Sequence, residues 1–99
     1  MFRHIVLFRV YDDVSESHID EAIAALRSLA AGSGAAAFEV HRSADTRKGR
    51  LIVEDTTFSD RRAFEAFRQS DDHARVASQL AEVSDWWIGD YDIREPGRP

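Results

Sequence analysis

Apolar side chains recur at every second position through residues 2 to 10, FRHIVLFRV, and a two-residue period predicts a β-strand. Phe2, His4, Val6 and Phe8 then share one face, where a polar ring among apolar neighbours requires a partner. Arg3, Ile5, Leu7 and Arg9 form the other face, and the two aliphatics at its centre predict that this face is covered as well.

After the turn-like Tyr11-Asp12-Asp13, the period lengthens. Ile19, Ala22, Ile23, Leu26 and Leu29 recur at helical spacing behind Ser15 or Ser17 as the cap, and this helix ends near Gly32-Ser33-Gly34. Two short strands follow, about 36 to 42 and 50 to 57, joined by the polar loop from Ser43 to Gly49. Ser59 or Asp60 can cap a second helix carrying Ala63, Phe64 and Phe67, which stops near Gln69-Ser70. A further helical stretch from His73 to Val83, with Asp71 or Asp72 as its cap, presents the stripe Val76, Ala77, Leu80 and Val83. The last strand runs from Trp86 to Ile93, and Arg94 to Pro99 reads as a frayed end. The expected organisation is one domain over 1–95 with a flexible tail at 96–99.

The order β-α-β-β-α-β is that of ferredoxin-like α+β folds, a four-stranded antiparallel sheet with its helices on one side. The other side is left bare, and Ile5, Leu7 and Trp87 fall on it. An apolar sheet face of that size marks an interface, and pairing with a second copy is the simplest cover. His4, Val6, Phe8, Trp86 and Ile88 then face the helices.

Composition narrows the partners. A chain of 99 residues with 43% hydrophobic content makes one small core, which oligomerisation would help stabilise. Without cysteine there is no disulfide, thiolate metal site or cysteine nucleophile, which fits a reducing, cytoplasmic setting. Met1-Phe2-Arg3-His4 lacks the pattern of a secretory signal, and no apolar run reaches membrane-spanning length. A net charge of -5 disfavours nucleic acid and anionic membranes as partners. Lys48-Gly49-Arg50-Leu51 touches the RNA-recognition strand signature, but the stacking aromatics are missing. The basic group Arg42, Arg47, Lys48 and Arg50 could grip a phosphate or carboxylate, although a hairpin loop with such charges is usually just solvated.

Taken together, Arg3-His4-Ile5-Val6-Leu7-Phe8-Arg9, Thr57-Phe58-Ser59 before a helix, Phe67-Arg68-Gln69-Ser70-Asp71-Asp72-His73 and Trp87-Ile88-Gly89-Asp90-Tyr91 resemble the stress-responsive A/B barrel (Dabb) domains of the dimeric α+β barrel superfamily. The resemblance implies a homodimer with a cavity between each sheet and its helices. In the family's plant polyketide cyclase that makes olivetolic acid, histidines and a tyrosine surround that cavity. His4 and His73 fall on two of those histidines, whereas Phe67 stands at the tyrosine, Ser70 and Asp71 replace the "H-P" of "H-P-x-H", and Ile52 stands at a third-strand histidine.

The resemblance implies His73 and His4 as an acid–base pair acting on a small carbonyl or aromatic compound, a cyclase, isomerase or lyase chemistry without cofactor. In that reading neutral His73 removes a proton beside a carbonyl while His4 or a backbone donor stabilises the enolate, and burial pushes at least one ring toward its neutral form. The bland alternative is that the two rings bond each other or a carbonyl and satisfy a polar spot in the core. Glu54 shares the strand face of Ile52, where it either serves as base, holds a histidine tautomer or reaches water. Val6, Phe8, Phe67, Trp86 and Ile88 are the expected lining for a hydrophobic or aromatic ligand. His18 and His41 are expected at the surface, and no pair of the four histidines has ligand spacing, so no metal is expected. Two other functions stay open, a non-catalytic small-ligand-binding stress protein and a monooxygenase-like relative.

Overall fold

The computed structural model describes residues 1–93 of the chain; the expected tail at 96–99 lies outside them. The elements are β1 (Phe2–Val10), α1 (Glu16–Ser28), a single 3-10 turn (Ala30–Gly32), β2 (Ala37–Arg42), β3 (Leu51–Phe58), α2 (Arg61–Arg68), α3 (Asp71–Val83) and β4 (Ser84–Asp92). The strands form one antiparallel sheet in the order β2-β3-β1-β4, so the first strand is central and the fold is the expected ferredoxin-like α+β arrangement. No helix among these residues is long and apolar enough to cross a membrane.

Local chemistry explains the boundaries. Ser15 Oγ accepts from the His18 amide at the start of α1, and Asp60 does the same for Ala63 at the start of α2. The third cap is not an aspartate as expected. Ser70 holds that place: its hydroxyl donates to the Phe67 carbonyl at 2.8 Å and accepts from the His73 amide at 3.1 Å, so one side chain closes α2 and opens α3. Asp71 and Asp72 therefore belong to the first turn itself, where negative charge faces the positive end of the helix. Strand β4 also begins earlier than expected. Ser84 adopts extended geometry and donates to the Leu80 carbonyl at 2.7 Å, so helix passes into strand with no loop.

The helices cover one face of the sheet. Phe2, Val6, Phe8 and Val10 from β1 and Ile52 and Phe58 from β3 meet Ile19, Ile23 and Leu26 of α1, Phe64 and Phe67 of α2, and Val76 and Leu80 of α3. Burying each large side chain of this core contributes roughly 1.5–3 kcal/mol. Arg27 of α1 donates twice to the Val40 carbonyl and ties that helix to edge strand β2.

Among the described residues no helix covers the opposite face. Leu7 lies across from Trp87 in the sheet, and these two with Tyr91 are 39%, 59% and 47% exposed, beside the half-buried Ile5. Two charges on this face are paired, Arg3 gripping Asp55 through two contacts at 2.9 and 2.6 Å. Three of the four basic loop residues are tied up locally, Arg42 with Glu16, Arg47 with Asp45, and Arg50 with the carbonyls of Tyr11 and Asp12.

Candidate functional site

Alternation along the strands places three ionisable side chains in a row beneath the helices. His4 of β1 is paired with Asp90 of β4, and its neighbour Val6 with Glu54 of β3. His4 and Glu54 are only 4% and 3% exposed. His4 Nδ1 lies 2.6 Å from Asp90 Oδ1, an ion-pair distance with the geometry of a hydrogen bond. Its Nε2 lies 3.3 Å from Glu54 Oε2, close enough to act through charge, yet that contact is not a hydrogen bond and leaves Oε2 without a partner among the described residues.

These side chains form the floor of a cavity of about 110 Å³. Val6, Phe8, Trp86 and Ile88 extend the floor; Leu26 of α1 and its C-cap Leu29, Phe64 and Arg68 of α2, and His73, Val76, Ala77 and Leu80 of α3 complete the wall. His73 owes its place to the Ser70 cap, which fixes the first turn of α3, and to Phe67, whose ring meets the imidazole edge-on at 5.0 Å. Among the described residues the His73 ring makes no hydrogen bond, so its lone pair is free to work.

The two imidazoles are biased in opposite directions. Burial alone would lower the His4 pKa, but Glu54 and Asp90 together outweigh it and raise it above the ordinary histidine value. Burial lowers the His73 pKa, and the nearby charges of His4 and Arg68 lower it further against the opposing pull of Glu54. The site thus favours a protonated ring on its floor and a neutral ring on its wall.

Among the residues expected from the sequence, His4, His73, Val6, Phe8, Glu54, Trp86 and Ile88 all border this one cavity. Ile88 is nevertheless 57% exposed, because β4 is an edge strand. Phe67 is the exception. It packs on Phe58 and Phe38 in the core and reaches the cavity only through His73, because the turn of α2 that aims Phe64 at His4 aims Phe67 at β3. The two histidines do not bond each other; both nitrogens of His4 face carboxylates. His18 and His41 are exposed, as expected. Sequence reading missed Asp90 and Arg68. The signal for Asp90 was present, since extending the inward alternation of Trp86 and Ile88 by two residues reaches it.

No curated protein gave a sequence match. Solved structures show the same fold. The hydroxynitrile lyase of Passiflora edulis superposes with a TM-score of 0.83 at 21% identity, over 98% of this chain and 96% of its own. A dimeric ferredoxin-like protein from Bacteroides fragilis gives 0.80 at 21% identity, over 93% and 95%. SnoaB, a cofactor-independent oxygenase from Streptomyces nogalater, gives 0.77 at 16% identity, over 99% and 97%. The family model for the stress-responsive A/B barrel domain (Dabb) matches residues 2–93, through every strand and helix that builds the cavity, and the chain belongs to that family.

Proposed function

We propose that this protein is a homodimeric enzyme that moves protons on a small carbonyl compound without a cofactor, in the cyclase, isomerase or lyase class. The observation that carries this reading is the opposed bias of two imidazoles bordering one cavity. A pair of titratable groups whose surroundings push their pKa values apart supplies an acid and a base at the same pH. Neutral His73 takes the proton from the carbon beside the carbonyl. Protonated His4 donates from Nε2 to the carbonyl oxygen as negative charge gathers there, and Asp90 holds the ring through Nδ1. His73 then returns its proton to a different carbon, or the enolate attacks a second carbonyl. The bare sheet face supports the dimer, as does the dimeric relative from Bacteroides fragilis. A cofactor-independent oxygenase on the same fold supports chemistry without a cofactor, and a hydroxynitrile lyase on that fold supports the lyase class.

Exchange of protons beside the carbonyl into deuterated water, followed by proton NMR on a panel of small ketones and aldehydes, tests the reading. Wild-type protein is expected to accelerate exchange for at least one compound, and His73→Ala to lose roughly a hundredfold or more of that acceleration. Exchange no faster than buffer across the panel, or unaffected by His73→Ala, would overturn it. The apolar majority of the cavity wall favours a second reading, a binding protein for a small hydrophobic ligand, and that reading gains if compounds bind without exchange.

A further inference from the structure

Glu54 is the group that this mechanism leaves unused. Its Oε2 is fully buried and has no hydrogen-bond partner among the described residues, although it faces a ring nitrogen 3.3 Å away and borders the cavity. A buried carboxylate oxygen without a donor is unfavourable, and a structure that keeps one is built to receive a donor from elsewhere. The neighbouring atom is His4 Nε2, itself a donor when the ring carries its second proton. A donor and an orphaned acceptor side by side fit one functional group better than any other, a hydroxyl, which accepts and donates at the same oxygen.

We propose that His4 and Glu54 form a hydroxyl subsite that holds the enol form of the substrate in preference to the keto form. The enol oxygen accepts from His4 Nε2–H, and the enol proton is donated to Glu54 Oε2. A ketone can only accept, so it satisfies His4 and leaves Glu54 orphaned. The enol forms when His73 takes the carbon-bound proton and His4 passes its Nε2 proton to the oxygen. The proton on His73 then returns to His4 through water, Nε2–H is restored, and the site is complementary to the product of that transfer rather than to the starting compound, which is what acceleration requires. Glu54 acts here as a specificity-determining residue. The inference rests on the reading above only for the identity of the hydroxyl as an enol.

Phenol is a six-carbon enol that does not revert to its ketone, cyclohexanone is the saturated ketone, and benzene lacks the oxygen. A cavity of about 110 Å³ is of the order that admits a benzene-sized ring in a protein core, about 150 Å³. Binding of the three compounds, followed through chemical shifts of the Trp86 indole, is expected to place phenol at least tenfold ahead of both others in wild type. In Glu54→Met, folded by circular dichroism, that advantage should disappear while benzene binds as well or better. Glu54→Gln keeps an acceptor and the volume but not the charge, and should keep a reduced advantage; it also serves if the methionine variant fails to fold. A wild-type ratio near one, as when a trapped water already serves Oε2, would overturn the proposal. So would an advantage for phenol that is undiminished in the variant that folds. Phenol and benzene have no exchangeable proton beside a carbonyl, so the two experiments fail separately. Exchange without phenol preference defeats the hydroxyl subsite, and phenol preference without exchange defeats the catalytic reading.

Discussion

The two faces of the sheet invert each other's problem. Beneath the helices, apolar groups are buried and satisfied, and the misfit is polar: a carboxylate oxygen of Glu54 with no donor among the described residues. On the bare face the charges of Arg3 and Asp55 are satisfied, and the misfit is apolar: Leu7, Trp87 and Tyr91 standing in water. Each face withholds a partner of the kind its surroundings lack. As proposed, the partner inside is a small hydroxylated molecule and the partner outside is a second copy. The contrast also explains why one strand serves both ends, because β1 is central in the sheet and alternates its side chains between the two environments.

The contrast can be broken at either face. Replacing Leu7 and Trp87 by aspartate has the largest expected effect: sedimentation at micromolar concentration should show a single chain. Each buried anchor of an interface is worth about 2 kcal/mol or more, roughly thirtyfold in affinity. The His4 imidazole resonances should stay in place, and an unchanged sedimentation coefficient would dissolve the distinction between the faces. A smaller effect is expected from pH. The raised pKa of His4 stabilises the fold fully below its ordinary value of 6.5, and this is lost as pH rises through the folded-state value. His73 works in reverse: its contribution is complete above 6.5 and is lost as pH falls through its lowered value. Melting temperature is therefore expected to be highest near pH 6.5. Subtracting His4→Gln from wild type should isolate the alkaline decline, and subtracting His73→Gln the acid one; curves parallel to wild type would remove the opposed bias. The smallest effect is expected from Arg3→Ala, which should move the melting temperature by less than about 4 °C, because exposed ion pairs gain little over their hydrated states.

Most of the sheet was legible because period-two alternation is a local property of the chain. Phe2 to Val10 carries both faces in nine residues, and the same rule sends Glu54 inward with Ile52. Helix α3 was legible as a stripe, Val76 and Leu80, but not at its start. Ser70, Asp71 and Asp72 are all able caps in succession, and only the seat of the helix on the sheet chooses among them. The pairing of His4 with Asp90 spans 86 residues and depends on strand register, which no local pattern encodes. Phe67 misled for a related reason. A helix of eight residues turns its two phenylalanines toward different neighbours, and the sequence does not say which one meets the cavity.

Gly89 sits across from Ile5 on the bare face, between Trp87 and Tyr91, and a methyl group built on it would meet no atom within 4 Å of its own chain. Nothing inside the protomer demands glycine there. A side chain added at residue 89 would therefore stand on the bare face beside Trp87 and Tyr91, where a single chain has room for it, so Gly89→Ala tests the covering of that face separately from folding.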